Sequence, residues 1–149
     1  NARTETVAEK PSYRTAWRQR QFCLVPVERF FEPCWETGKA VPWSIHRQDG
    51  EPFTVAAIWD RWTERATGEI VVSFSMLTIN ADGHPIMGRF HRPGDERRSL
   101  VVVPPSRWTD WLSATADTVR AMLAEMPVAE FTSESVMGLS STPAQASFL

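Results

Sequence analysis

The chain has 149 residues, 42% of them hydrophobic, and its 16 basic and 18 acidic side chains give a formal net charge of −2. A chain of this size ordinarily folds as one domain around one core. Its sequence contains no apolar run long enough to span a bilayer and no signal-peptide pattern, so we expect a cytoplasmic protein. The small net charge excludes a general attraction to nucleic acid, and any such binding requires a local basic patch.

The first half of the chain is rich in predicted strands. A short helix is expected after Pro11, because proline is favoured in the first turn of a helix. Strands are then predicted over 22–27, 29–35, 42–47, 52–62 and 71–80. Between the third and fourth of these, Asp49-Gly50 predicts a hairpin turn, because glycine accepts the positive φ that such a turn needs.

The second half contains shorter predicted elements. One helical turn is expected over 84–90, and a buried strand over 100–103 ends at Pro104. Two helices are predicted next, over 107–112 and from Thr115 or Asp117 to Met126. The last stretch, 132–149, is rich in Ser, Thr, Pro and Ala, which predicts a domain over 1–131 followed by a loosely ordered tail.

Several short strands with few helices between them argue against a doubly wound parallel sheet. We predict an α+β domain that is rich in β structure, with a curved, mostly antiparallel sheet or open barrel and a few short flanking helices. We also expect a monomer.

Metal and cofactor motifs are absent from the sequence. The two cysteines, Cys23 and Cys34, form neither a disulfide framework nor a C-x-x-C pair, so we expect reduced thiols. No nucleophile elbow, Walker loop, H-E-x-x-H motif or zinc-spaced cluster occurs. We therefore expect no metal and no cofactor.

Glu32 lies within a predicted strand, where a carboxylate is costly. Strict alternation places its side chain on the face of Phe30 and Cys34. Burial there raises the pKa of a carboxyl toward the range that general acid-base catalysis uses, unless an arginine pairs with it. The local pattern leaves open a second interpretation, a structural glutamate that is paired or solvated.

His91 lies in a polar loop that leads into the predicted strand at Leu100. Loops on a rigid scaffold often carry catalytic groups, and a histidine transfers protons near neutral pH. An exposed histidine without a catalytic role is the alternative, and the local pattern does not decide between the two.

Eight short blocks follow one another along the chain. They are N-A-R-T-E-T at 1–6, C-L-V-P at 23–26, F-F-E-P at 30–33, P-W at 42–43, A-A-I-W-D-R-W at 56–62, F-S-M-L-T at 74–78, N-A at 80–81 and R-F-H at 89–91. In this order, the blocks resemble the SOS response-associated peptidase (SRAP) family of abasic-site-processing proteins. The series covers about residues 1–131, and its specificity comes from the order of the blocks rather than from any one motif.

The resemblance implies a protein that recognises abasic sites in single-stranded DNA. In that family an N-terminal cysteine, exposed by removal of the initiator Met, captures the sugar aldehyde as a stable thiazolidine. The resemblance also implies site residues: Asn1 matches an asparagine near the nucleophile, and Glu32 and His91 match the active-site glutamate and histidine. Arg3 matches an arginine that contacts DNA phosphate.

We also predict that Arg89 and Arg92, on either side of the Phe90-His91 pair, bind DNA. Neither Cys23 nor Cys34 can supply the required α-amine, so we expect the nucleophilic cysteine to lie outside this chain. Since the chain begins at Asn1 rather than Met, we expect a fragment or processed product that is inactive unless an upstream segment supplies the cysteine.

Two other functions remain open at the level of the sequence. A thiol peptidase would use the same cysteine, glutamate and histidine without any dependence on DNA. A single-stranded nucleic-acid-binding module would use the arginines without covalent chemistry, and its affinity would fall steeply with salt.

Overall fold

In the computed structural model, residues 1–136 are described. The elements in chain order are β1 Ala2–Arg3, α1 Arg14–Arg18, β2 Phe22–Val27, β3 Arg29–Cys34, β4 Val41–Arg47, β5 Phe53–Thr63, β6 Ile70–Asn80, β7 Arg98–Leu100, α2 Trp108–Leu112, α3 Ala116–Val119 and β8 Phe131–Ser135. Short 3₁₀ turns cover Met87–Arg89, Pro105–Arg107, Arg120–Met122 and Val128–Glu130. The predicted α+β fold, rich in strands and with a few short helices, is confirmed.

The strands form two sheets. The larger has the order β1-β6-β5-β2, with β7 also paired to β6, and the smaller has the order β3-β4-β8. All pairs are antiparallel except β1 with β6, in which Ala2 lies opposite Leu77. Strands β2 and β3 are separated only by Glu28, so the chain passes from one sheet to the other at that residue.

The hairpin predicted at Asp49-Gly50 is wrong in its pairing. The turn itself forms, since the Gly50 amide donates to the Arg47 carbonyl at 3.1 Å and Gly50 has a φ of 76°. The strands on either side nevertheless lie in different sheets. Because β3 and β8 occupy both edges of β4, and β2 and β6 flank β5, neither strand has a free edge for the other.

Two predicted elements in the second half of the chain have other bounds in the structure. The strand predicted over 100–103 is Arg98–Leu100, although Val102 still bridges to Val55. The helix predicted to reach Met126 ends as an α-helix at Val119. Packing explains why the helix ends there. Val119 belongs to one hydrophobic cluster and Met126 to the other, so the chain leaves the helix after Val119 to reach the second cluster.

The predicted loose tail also begins too early. Thr132 to Ser135, which we placed in that tail, extend β8 along the edge of β4. The segment forms backbone hydrogen bonds with the edge of β4, and its polar composition gives no sign of this pairing. The remainder of the predicted tail, from 137 to 149, lies outside the described residues.

Two hydrophobic clusters hold the layers together. One packs the larger sheet against α1 and α2, with Trp17, Phe22 and Trp111 in ring contact at 5.4 and 5.0 Å. The other packs Phe53 edge-on against Phe131 at 4.9 Å. Within residues 1–136, no helix is long and apolar enough to cross a membrane.

Candidate active site

Four of the six predicted site residues line one cavity of about 330 Å³. They are Asn1, Arg3, Glu32 and His91. Their neighbours in the lining are Phe30, Phe31, Met76, Thr78, Arg98, Ser99 and Leu100. The chain therefore brings its N-terminal residues, β3 and the loop before β7 to one place.

Glu32 is half-buried in the wall of this cavity. Burial alternates along β3, with Phe30, Glu32 and Cys34 less exposed than Arg29 and Phe31. Desolvation raises the pKa of the Glu32 carboxyl above its ordinary value of 4.5, and the nearby His91 imidazole opposes this shift. The desolvation effect is the larger, so Glu32 is a stronger base than an exposed glutamate.

His91 faces Glu32 without a direct hydrogen bond. Its Nε2 lies 3.9 Å from Oε2 of Glu32, which is too long for a hydrogen bond and short enough for a bridging group to contact both. The Nδ1 atom is buried and has no hydrogen-bond partner among the described residues. Two polar groups are thus desolvated and only weakly engaged with each other.

The backbone holds His91 in an uncommon conformation. Its φ is 71°, in the left-handed region that side chains other than glycine rarely adopt. Its amide donates to the carbonyl of Pro33 at 3.2 Å, and the preceding Phe90 bridges to Cys34. These contacts to β3 fix His91 beside Glu32 at a cost of roughly 1 kcal/mol in backbone strain.

The first strand places the N-terminal residues at the cavity. Ala2 is fully buried and pairs with Leu77 of β6, so the flanking residues Asn1 and Arg3 reach the cavity. Tyr13 donates its hydroxyl to the backbone carbonyl of Asn1 at 3.2 Å. Arg3 is 58% exposed and forms an ion pair of 2.7 Å with Glu96.

Arg98 is a cavity residue that the sequence reasoning missed. Its guanidinium, 10% exposed, donates to Glu5 at 2.9 and 2.8 Å, to Glu96 at 2.7 Å and to the carbonyl of Thr78 at 2.6 Å. Arg98 lowers the pKa of Glu5 from 4.5 to about 2 through these hydrogen bonds. The only signal in the sequence is that Arg98 and Leu100 have the spacing of residues on one face of a strand. The predicted strand begins at Leu100, two residues after the observed start.

Arg89 and Arg92 lie outside the lining of this cavity. Arg89 forms two hydrogen bonds with Glu36, at 2.9 and 3.1 Å, and its guanidinium lies 4.5 Å from the ring centroid of Trp43. Arg92 is exposed, with its guanidinium 5.9 Å from the ring centroid of Trp35. Both therefore form a basic and aromatic surface adjoining His91 rather than part of the cavity.

The arrangement suits proton transfer more than nucleophilic attack. A carboxyl whose pKa is raised by burial, beside an imidazole, is a pair of groups that general acid-base catalysis uses. No cysteine is among the residues that line the cavity. Cys34, the last residue of β3, is buried, and Cys23 lies on β2, where burial raises the pKa of its thiol. In the part of the chain that the structure describes, no group of three metal-binding side chains occurs.

Known proteins resemble this chain in sequence. The family model described as SOS response associated peptidase (SRAP) matches residues 1–139. The abasic site processing protein YedK of Escherichia coli is 30% identical over 113 residues, which are 75% of this chain and 46% of YedK. The abasic site processing protein YobE of Bacillus subtilis is 29% identical over 82 residues, 53% of this chain and 36% of YobE.

Solved structures resemble it as well. A Bordetella bronchiseptica crystal structure superposes with a TM-score of 0.87 at 40% identity, over 91% of this chain and 64% of that protein. A Bacteroides thetaiotaomicron crystal structure gives a TM-score of 0.80 at 26% identity, over 91% of this chain and 57% of that protein. The chain spans less than half the length of the two curated relatives. The match to the family model over nearly the whole chain confirms the predicted resemblance, and the chain belongs to the SRAP family.

Proposed function

We propose that the protein carrying this chain processes abasic sites in single-stranded DNA through a covalent crosslink. The observation that carries the proposal is the pairing of Glu32, whose pKa is raised by burial, with His91 at 3.9 Å in a cavity that Asn1 and Arg3 also line. The names of YedK and YobE, both abasic site processing proteins, support it. The nucleophile is an N-terminal cysteine outside residues 1–149.

The proposed reaction needs an acid and a base in turn. The cysteine amine attacks the aldehyde of the ring-opened abasic sugar, the adduct loses water to give a Schiff base, and the thiol then adds to its carbon. One aldehyde and one aminothiol thus give one thiazolidine and one water. The amine must first lose a proton and the sugar oxygen must gain one, so the reaction calls for two groups of different roles.

Glu32 and His91 are assigned to those two roles. Because its pKa is raised, the Glu32 carboxylate accepts a proton from the cysteine ammonium more readily than an exposed carboxylate would. His91 protonates the sugar oxygen, and Asn1 orients the nucleophile by hydrogen bonds. The same cysteine, once activated by Glu32, also serves for the proposed autoproteolytic removal of the initiator Met.

The basic residues around the cavity are assigned to the DNA strand. Arg3 is more than half exposed at the cavity, and its guanidinium retains hydrogen-bond donors beyond the one used by Glu96. Arg89 and Arg92 lie beside Trp43 and Trp35, a combination that favours unstacked bases and phosphates without reading sequence. These contacts position the strand, and Glu32 and His91 perform the chemistry.

A crosslinking assay tests the proposal. The longer protein, in which a leading segment with a Met-Cys start precedes Asn1, is incubated with single-stranded DNA that carries one abasic site. We expect a protein-DNA species that survives denaturing electrophoresis, because a thiazolidine is covalent and stable. The matched control replaces the leading cysteine with serine, and a second control uses undamaged DNA of the same sequence.

Two outcomes contradict the proposal. One is the absence of the shifted species while both DNAs bind equally well, which would favour a non-covalent single-strand-binding module. The other is a crosslink that persists unchanged with the serine variant, which would place the nucleophile elsewhere. Removal of the initiator Met without any reaction with DNA would favour the thiol peptidase.

A further inference from the structure

A second cavity, of about 520 Å³, lies apart from the candidate active site and is larger than it. It is formed by the start of β5, the segment after β7 and the chain before β8, and the two cavities have no lining residue in common. Its volume is within the range of pockets that hold small ligands or single side chains. The proposed DNA chemistry gives this cavity no role.

Much of the wall of this second cavity is apolar. Four prolines line it: Pro52, Pro104, Pro105 and Pro127. Proline has a fixed φ and no amide hydrogen, so these four positions cannot donate hydrogen bonds to an added strand. The cavity is therefore suited to receive a side chain rather than to extend a sheet.

Trp108 presents an apolar surface to this cavity. The side chain is 40% exposed, yet its indole N–H already donates to the Thr54 hydroxyl at 2.7 Å and to the Val103 carbonyl at 3.2 Å. The polar edge of the indole is satisfied by the protein, and the exposed remainder is hydrocarbon. Exposed aromatic surface of this kind commonly marks a binding site.

The charges at this cavity are mainly acidic. Glu51, Glu125 and Glu130 line it, and Arg47 is the one basic residue in the lining. Arg47 is already paired with Asp49 and, at 2.9 Å, with Glu130. Glu51 and Glu125 have no ion-pair partner within residues 1–136. This rim repels phosphate and favours a cation.

We propose that the cavity beside Trp108 binds an apolar side chain from a segment of another protein, with a basic residue next to that side chain. The hydrocarbon lining receives the apolar group, and Glu51 and Glu125 attract the neighbouring cation. This partner binds at a surface separate from the one that engages DNA, so both can be bound at once.

The test uses two small probes of opposite charge. The ¹⁵N-labelled chain is titrated with N-acetyl-phenylalanyl-arginine amide and, separately, with N-acetyl-phenylalanyl-glutamate amide, while the tryptophan indole resonances are followed. A Trp108→Phe variant identifies the Trp108 resonance by its absence. We expect the arginine probe to shift this resonance saturably with a Kd on the order of a millimolar, and the glutamate probe to bind at least about fivefold more weakly.

A variant with two of the acidic side chains neutralised distinguishes this proposal from nonspecific binding of the probes. In the double variant Glu51→Gln, Glu125→Gln, both changes are on the surface, and we expect the affinities of the two probes to converge to within about twofold. Glu69→Gln, an exposed change in the β5–β6 turn outside this cavity, is the matched control and should retain the full preference. The proposal is overturned if neither probe shifts the Trp108 resonance, if both bind the unaltered chain equally, or if the double variant keeps its preference.

Discussion

The two ends of the candidate active site differ in how their polar groups are satisfied. At one end, Arg98 forms hydrogen bonds with Glu5, Glu96 and Thr78. At the other, Nε2 of His91 lies 3.9 Å from Oε2 of Glu32, and the buried Nδ1 of His91 has no hydrogen-bond partner among the described residues. The pKa shifts follow the same division, lowered at Glu5 and raised at Glu32.

We propose that the two ends of this cavity have different roles, one structural and one chemical. Buried polar groups are normally paired, and a group that is not satisfied costs free energy. The Arg98 end therefore stabilises the junction of the N-terminal segment with β6 and β7. At the Glu32 end, the carboxyl and the imidazole lower the stability of the fold, and the role that we propose for them is to exchange protons with a bound group.

The largest expected effect is on the stabilising end. Replacing Arg98 by methionine keeps the aliphatic volume but leaves Glu5 and Glu96 without their shared partner. We expect the free energy of unfolding to fall by about 3 kcal/mol, measured by urea denaturation, because the buried guanidinium loses its charge-assisted hydrogen bonds to Glu5 and Glu96 and its bond to the Thr78 carbonyl. The control is Arg107→Met, which breaks an exposed pair with Asp110 and should cost less than about 1 kcal/mol. An equal loss in the two variants would contradict the structural role given to Arg98.

A smaller effect with a distinct pH dependence is expected from the two glutamates. The folded-state pKa of Glu32 is raised, so the folded chain releases this proton at a higher pH than the unfolded chain, and the ionised carboxylate destabilises the fold. Stability from this group falls as pH rises from 4.5 through the raised pKa. We therefore expect Glu32→Gln to be more stable than the unaltered chain at about pH 7, with the gain lost at about pH 3.

Glu5 gives the opposite dependence and is the matched comparison. Its pKa is lowered to about 2, so its contribution is present above 4.5 and is lost as pH falls toward about 2. Glu5→Gln should therefore destabilise the chain at neutral pH, where Glu32→Gln stabilises it. Urea denaturation of both variants at the two pH values measures this difference. If both substitutions changed the free energy of unfolding in the same direction at neutral pH, the proposed difference between the two ends of the cavity would be contradicted.

Alternation and turn chemistry predicted most strands but not their partners. The strand containing Glu32 and the face of that residue follow from period two alone. The turn predicted at Asp49-Gly50 forms, yet β4 and β5 do not pair with each other. Other strands, some of them distant in the sequence, occupy both edges of β4 and both edges of β5. Local chemistry specifies a turn, and the complete set of strands specifies the pairing.

The site was predictable only in part. Glu32 has a local signal, an acidic residue at an inward position of a strand, whereas His91 has none that distinguishes it from an exposed loop histidine. Its place beside Glu32 came from the family resemblance, because the contact of its amide with Pro33 is a tertiary one. Arg98 was missed for the same reason: its partners Glu5 and Glu96 meet only after β1, β6 and β7 assemble.

The central claim is that Glu32 and His91 perform chemistry rather than hold the fold or bind the strand. The most direct test is the single-turnover rate of crosslinking by the longer protein with its leading cysteine, at saturating abasic-site DNA. The account predicts that Glu32→Gln and His91→Ala each slow this rate by about a hundredfold. It also predicts that both variants bind single-stranded DNA with unchanged affinity. The control variant, Glu69→Gln, should crosslink at the rate of the unaltered protein. Rates within about twofold of the unaltered protein for both variants, or a loss of DNA affinity that accounts for the slower rate, would contradict it.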